Sequence, residues 1–151
     1  QTGSVFTLGD GAIASTSKKQ GMNTRSSTEA ELVAADEVVG SMIWTKNFLE
    51  AQGYPLKENI LFQDNQSAML LETNGRASAG KRSRHLNIRM FFVADQKAKG
   101  HIDIKYCPTD QMTGDYVTKP LHGQKFVGFC RKIMNLPLTV QLFLMAAVII
   151  E

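Results

Sequence analysis

The stretch Asn59-Ile-Leu-Phe-Gln-Asp-Asn65 decides the fold class of this chain. Its apolar centre, Ile60 to Phe62, predicts a short buried strand. Asp64 and Asn65 stand at the exit of that strand, and a short helix is expected to follow from about Gln66 to Glu72. The sequence therefore puts an acid and an amide at the point where a strand gives way to a helix.

A hairpin is predicted near the start of the chain. Ser4 to Leu8 alternates as a strand does, and Ala12 to Ser17 continues as a second strand. Gly9-Asp10-Gly11 lies between them and is typical of a hairpin turn, so we expect Asp10 to be a turn residue.

A long helix is predicted between the hairpin and the strand at Ile60. Ser26, Ser27 and Thr28 supply N-cap hydroxyls, and Thr28 with Glu31 fits the capping box that starts a helix. Gly53 followed by Pro55 ends the run. Apolar residues recur at helical spacing and are expected on the buried side of this helix: Leu32, Ala35, Val39, Met42, Ile43 and Leu49.

The second half of the chain predicts further helices around one more strand. Leu86 to Lys99 has the pattern of a second long helix, and Ile102, Ile104 and Tyr106 alternate with polar residues as in a half-buried strand. Two shorter helices are expected further on, at about Gln111 to Val117 and Gln124 to Met134. This order of elements predicts a mixed α/β fold in which helices cover a sheet.

Length and composition predict a folded domain with a slightly basic surface. The 151 residues are 43% hydrophobic and 21% charged, as in ordinary globular chains, and the formal charge is +3. That excess is compatible with a polyanionic partner. Cys107 and Cys130 lack metal-type spacing and are expected to be reduced, buried thiols of an intracellular protein.

The last residues are set apart from the rest of the chain. The sequence contains no linker that marks a second domain, and an apolar stretch, Val140 to Ile150, lies near its end. Val140 to Ile150 is too short to span a bilayer, which needs about 20 residues, so no membrane anchor is expected. The polar start lacks a basic n-region, which predicts that the chain is not secreted.

Three acids stand where elements begin or end: Glu31, Asp64 and Asp115. Carboxylates from separate elements that converge can hold Mg²⁺, which prefers oxygen ligands. Each acid also has a structural interpretation that the pattern alone leaves open. Glu31 could cap its helix, Asp64 could be a turn or cap residue, and Asp115 could be an ordinary first-turn acid.

Five short motifs occur in one order along the chain: Ser17-Lys-Lys-Gln20, Ser26-Ser-Thr-Glu-Ala-Glu31, Asp64-Asn-Gln-Ser-Ala68, Tyr106-Cys-Pro-Thr-Asp110 and Thr118-Lys-Pro-Leu121. Together they resemble the ribonuclease H region of Pol polyproteins from copia-type LTR retrotransposons, over roughly Thr2 to Asn135. The resemblance therefore assigns residues 2–135 to a ribonuclease H-like domain that is incomplete at its N-terminus, and residues 136–151 to an apolar tail outside the family pattern. The resemblance implies a ribonuclease H-like mixed sheet flanked by helices. It also implies Mg²⁺-dependent endonucleolytic cleavage of RNA in RNA–DNA hybrids during reverse transcription.

The resemblance further implies a site and its cofactor. In ribonucleases H, four acids bind two Mg²⁺ ions, for which Mn²⁺ is a possible substitute. The matching positions are Glu31, Asp64 and Asp115, which are expected to be catalytic and to bind the metal. Asn65 is expected to lie close to the RNA strand. Glu29 should point elsewhere, because adjacent helix residues do not share a face.

The chain departs from the family pattern at its start. The first of the four acids belongs on a strand before Thr2, so the first strand is expected to be missing, and Asp10 at the hairpin tip is no substitute for it. We expect cleavage by this chain alone to be absent or very slow, which leaves its status as an enzyme open. The alternative is a catalytically dead retrotransposon fragment with at most weak nucleic-acid binding. An integrase-type nuclease is disfavoured, since its helix Glu would follow two strand Asp residues.

Basic residues follow the loop after the short helix. Lys81, Arg82 and Arg84 are expected to contact the phosphates of a bound duplex, although a solvated loop explains them equally well. The resemblance implies two partners, an RNA–DNA hybrid and the reverse transcriptase portion of the same polyprotein, and no membrane. It also implies a location inside the cell, in a cytoplasmic virus-like particle or the nucleus.

Overall fold

The fold was examined in a computed structural model, which describes residues 1–75 and 87–137, apart from the side chains of residues 87–90. In chain order the elements are β1 (Thr2–Thr7), β2 (Ala12–Lys18), α1 (Ser27–Ala51), β3 (Ile60–Gln63), α2 (Gln66–Asn74), α3 (Asn87–Ala98), β4 (Asp103–Tyr106), α4 (Asp115–Thr118) and α5 (Gly123–Met134). This is a mixed α/β arrangement consistent with a ribonuclease H-like fold. The predicted fold class and the predicted order of elements are confirmed.

The described chain divides into two compact units. The hairpin unit consists of Gly3–Lys18 and the described residues from Thr113 onward, and it contains β2, α4, α5 and all of β1 after Thr2. The helix–strand unit consists mainly of Lys19–Met112 and contains α1, β3, α2, α3 and β4. The strands accordingly form two separate pairs, β1 with β2 and β3 with β4.

The connection in the hairpin unit depends on glycine. Gly9 and Gly11 have φ angles of 97° and 80°, a backbone conformation that residues with a side chain rarely adopt. Asp10 lies between them and is exposed, as expected of a turn residue. Along the two strands, the hydroxyl oxygens of Ser4 and Thr16 are 2.8 Å apart. The predicted hairpin is confirmed.

The sheet of the helix–strand unit is parallel. Ile60 lies opposite Asp103 and Gln63 opposite Tyr106, so β3 and β4 end at the same edge. Parallel neighbours need a crossover connection, and α2 and α3 lie between the two strands in the chain. Buried apolar side chains from the helices and from β4 form the core of this unit: Leu32, Val33, Val39, Ala68, Val93 and Ile104.

Phe62 corrects the prediction that the apolar centre of β3 is buried. Its side chain is 53% exposed, whereas Gln63, the next residue, is buried. Alternate side chains of a strand point to opposite faces of the sheet, so the polar Gln63 occupies the covered face and Phe62 the open one. The apolar run thus predicted the strand but not which of its faces is covered.

The start of α1 corrects the predicted capping box. Ser26, not Thr28, is the N-cap residue, and its Oγ accepts a hydrogen bond from the Glu29 backbone N–H at 3.2 Å. The Glu29 carboxylate in turn accepts a hydrogen bond from the Arg25 backbone N–H at 2.7 Å. The backbone of Ser26 is extended, as a cap requires, whereas Thr28 is already helical. The capping pair therefore lies two residues earlier than predicted.

Replacing Ser26 with Ala is expected to lower the free energy of unfolding by about 1 kcal/mol, because the Glu29 N–H loses its acceptor. Ser27→Ala is the matched control. Ser27 is exposed and lies inside the first turn, so this change should alter the free energy of unfolding by less than about 0.5 kcal/mol. Urea denaturation of both variants measures the difference, and equal losses would contradict the assignment of Ser26 as the cap.

Two further expectations bear on the chain's surroundings. Cys107 and Cys130 are both reduced thiols, as expected; Cys130 is buried, whereas Cys107 is only half-buried. Among the described helices, none is long and apolar enough to cross a bilayer. The tail assigned to residues 136–151 lies outside the described residues from residue 138 onward.

Candidate active site

Gln63, the last residue of β3, organises the strand exit. Its side-chain Oε1 accepts hydrogen bonds from the backbone N–H groups of Asp64 at 3.1 Å and Asn65 at 3.4 Å. The two N–H groups lie between a strand and a helix, so a side-chain acceptor stabilises a turn that regular backbone pairing does not. Asp64 is thereby held, half-buried, at the carboxyl end of the strand.

Asn65 joins the strand exit to the long helix. Its Oδ1 caps α2 by accepting hydrogen bonds from the backbone N–H groups of Ser67 and Ala68, each at 3.1 Å. Its Nδ2 donates to Thr28 Oγ1 at 3.5 Å, in the first turn of α1. The structural role of this side chain is therefore to cap one helix and to contact the start of another.

Glu31 lies on the helix face that Asn65 contacts. It is three residues beyond Thr28, and helix residues at this spacing are neighbours on one face. Its side chain is half-buried. Ser26 and Glu29 cap this helix, so Glu29, and not Glu31, is the acid of the capping pair. The contact between Asn65 and Thr28 thus brings the helix face of Glu31 beside the strand exit that carries Asp64.

Glu72 on α2 is an acid at this site that sequence reasoning misses. Its side chain is fully buried, and Gln63 Nε2 donates a hydrogen bond to its Oε1 at 3.3 Å. Burial raises the pKa of Glu72 from 4.5 to about 7, and the hydrogen bond from Gln63 partly opposes this change. The charge of Glu31 raises the same pKa and the charge of Lys97 lowers it. Glu31 and Glu72 therefore lie within electrostatic reach of each other.

A weak sequence signal for Glu72 exists. Ala68 and Glu72 are four residues apart on α2, so they share one face of the helix. Ala68 is fully buried. A periodicity that identifies Ala68 as a core position therefore also assigns the core face to Glu72, despite its charge.

Asp115 belongs to the hairpin unit, where it opens α4. Its side chain is buried, with Oδ1 2.7 Å from Lys119 Nζ and Oδ2 3.5 Å from Lys125 Nζ. The helix is held on the hairpin by Ser17 Oγ, which donates to the backbone carbonyl of Val117 at 2.6 Å. Within its unit, Asp115 is a buried acid paired with two lysines.

Comparison with known proteins identifies relatives that align with most of the chain. The chain is 33% identical over 135 residues to the retrovirus-related Pol polyprotein from transposon TNT 1-94 of Nicotiana tabacum, an alignment that covers 89% of this chain and 10% of the relative. It is 31% identical over 132 residues to the Pol polyprotein from transposon RE1 of Arabidopsis thaliana and 30% identical over 132 residues to that from transposon RE2, covering 87% of this chain and 9% of each. The chain is a homologue of retrovirus-related Pol polyproteins.

This Pol homologue spans about a tenth of the length of the curated relatives it matches. No protein-family profile matches the chain. No solved structure matches it either.

The predicted phosphate contacts and the predicted metal site stay predictions. Lys81, Arg82 and Arg84 lie outside the described residues. Within residues 1–75 and 87–137, no three side chains of His, Cys, Asp or Glu form a group that could hold a metal ion. The helix–strand unit nevertheless supplies two carboxylates of the type that Mg²⁺ prefers, Glu31 and Asp64, on neighbouring elements.

Proposed function

We propose that this chain is the ribonuclease H-type endonuclease segment of a retrotransposon Pol polyprotein and cleaves the RNA strand of RNA–DNA hybrids during reverse transcription. The observation that supports the proposal is the link from the exit of β3 to α1. Through Asn65 and Thr28, this link joins the strand exit that carries Asp64 to the first turn of the helix that carries Glu31. Homology to Pol polyproteins supports the same setting, with reverse transcriptase as a segment of the same polyprotein.

Carboxylate oxygens suit Mg²⁺, and Mn²⁺ as its substitute, so Glu31 and Asp64 would hold the metal. The assignment of Asp115 as a third ligand rests on the sequence resemblance alone. Two Mg²⁺ ions, when bound, would supply an activated water and charge stabilisation for the leaving oxygen. The chain itself contributes orientation, because Gln63 holds the backbone of Asp64 at the strand exit.

Asn65 would provide a contact that distinguishes RNA from DNA. A side-chain amide nitrogen carries two N–H donors, and the hydrogen bond to Thr28 uses one of them. The second donor can reach an acceptor such as the 2′-hydroxyl oxygen of an RNA nucleotide. The Oδ1 atom meanwhile keeps its role as the cap of α2, so the amide keeps a fixed orientation.

The test is cleavage of matched substrates by the chain to which an upstream strand carrying an Asp has been added, because the ribonuclease H pattern places its first acid there. With Mg²⁺, we expect cuts in the RNA strand of an RNA–DNA hybrid that leave 5′-phosphate and 3′-hydroxyl ends, and no cuts in a DNA duplex of the same sequence. Removal of Mg²⁺ with a chelator should stop the reaction. Cleavage of both duplexes at similar rates, or of neither at any Mg²⁺ concentration, would contradict the proposal.

The ion pairs of Asp115 favour a second candidate, a fragment that binds nucleic acid without cutting it. Lys119 and Lys125 form ion pairs with the carboxylate of Asp115, which the nuclease proposal assigns to metal binding. Such a fragment would show hybrid affinity that falls with increasing salt, since phosphate contacts release counterions, and no cleavage product.

A further inference from the structure

A buried polar pair lies beneath the exit of β3. Gln63 is 5% exposed and Glu72 is fully buried, and the two side chains come from neighbouring elements, β3 and α2. Backbone N–H groups can only donate, so Gln63 must turn its Oε1 toward Asp64 and Asn65 and its Nε2 toward Glu72. Glu72 therefore supplies the acceptor that holds the amide of Gln63 in the orientation that the two N–H groups require.

Stability alone does not account for an acid at position 72. A carboxyl removed from water is unfavourable unless its oxygens are paired. Among the described residues, Glu72 Oε2 has no hydrogen-bond partner, and only Oε1 accepts from Gln63. An apolar side chain such as Met would fill this place without the desolvation penalty, but it could not orient the amide of Gln63.

We propose that Glu72 is a positioning residue for Asp64, which it holds in place through Gln63. The inference rests on the proposed function, in which Asp64 is a metal ligand, and it adds a residue that touches neither metal nor substrate. Two sets of hydrogen bonds connect these residues. Gln63 Nε2 donates to Glu72 Oε1, and Gln63 Oε1 accepts from the backbone N–H groups of Asp64 and Asn65. Without the acceptor at position 72, the amide of Gln63 is free to rotate, and the turn that carries Asp64 loses its support.

Three variants of the full chain separate positioning from general stability. Glu72→Met removes the acceptor, and Glu72→Gln keeps an oxygen that can accept from Gln63. Val93→Ala is the matched control, because Val93 is fully buried in α3 of the same unit and its truncation lowers stability without touching the strand exit.

The first measurement is amide hydrogen exchange by NMR, without metal. In Glu72→Met, we expect the Asp64 and Asn65 amides to exchange at least about fivefold faster relative to the Asp103 amide, which bonds to Asn59 at the other end of the strand pair. In Glu72→Gln, the ratio should stay within about twofold of the original chain. In Val93→Ala, all three amides should change together. An unchanged ratio in Glu72→Met would overturn the proposal.

The second measurement is Mn²⁺ affinity, followed by paramagnetic broadening of the Asp64 amide signal. Glu72→Met should weaken Mn²⁺ binding by about tenfold or more, and Glu72→Gln should restore most of it. Equal affinity in all variants would overturn the role of Glu72 in positioning a ligand. If Mn²⁺ binds neither to the unaltered chain nor to the chain with an upstream Asp-bearing strand added, while the exchange result holds, the proposed function fails and the control of the turn by Glu72 stands.

Discussion

Asp64→Asn is expected to reduce Mg²⁺-dependent cleavage of an RNA–DNA hybrid by about a hundredfold or more. The amide has nearly the shape of the carboxylate but lacks its negative charge, so metal binding at the exit of β3 weakens. Metal-ion catalysis supplies several kcal/mol of transition-state stabilisation, and each 1.36 kcal/mol corresponds to about tenfold in rate. The measurement is the single-turnover rate on a labelled hybrid of the chain to which an upstream strand carrying an Asp has been added.

Asp10→Asn is the control for this prediction. It makes the same chemical change at an exposed residue of the hairpin connection, so the cleavage rate should stay within about twofold of the original. Glu31→Gln should resemble Asp64→Asn, because both acids are proposed ligands. A fall of similar size for Asp10→Asn would show that the assay reports solubility or folding, and an unaltered rate for Asp64→Asn would remove the proposed site.

The unfolding free energy is expected to fall by about 3 kcal/mol as the pH rises from 4.5 to about 7, through the titration of Glu72. Burial raises the folded-state pKa of this carboxyl to about 7, while the unfolded chain keeps the ordinary value of 4.5. Below pH 4.5, Glu72 carries the proton in both the folded and the unfolded chain, and its contribution to stability is fully present. Above the higher value both states have lost it, and the contribution is gone.

Glu72→Gln tests this dependence, because an amide does not titrate in this range. Urea denaturation at about pH 5 and about pH 8 should give a much smaller difference in unfolding free energy for the variant than for the original chain. Glu58→Gln is the control, since Glu58 is exposed and forms a surface ion pair with Lys105 that contributes little to stability. A pH dependence that survives in Glu72→Gln would contradict the raised pKa.

Short-range patterns predicted the elements because their causes are local. The glycines around Asp10 impose the hairpin connection, and the alternation around Ile104 marks β4. The capping box was misplaced because Ser26 with Glu29 and Thr28 with Glu31 have the same spacing and chemistry. Only the backbone conformation at Ser26, which is extended, separates the two pairs.

By itself, the sequence determined the class of the fold, the order of its elements and the acids Glu31 and Asp64 at element ends, since these depend on neighbours within a few residues. Tertiary structure decided which acids lie inside. Glu72 is buried because α2 packs its Ala68 face inward. Gln63 holds the strand exit because Glu72 accepts a hydrogen bond from its side-chain amide. Contacts between residues distant in the chain set burial and pairing, and the local spacing of Ala68 and Glu72 indicates them only weakly.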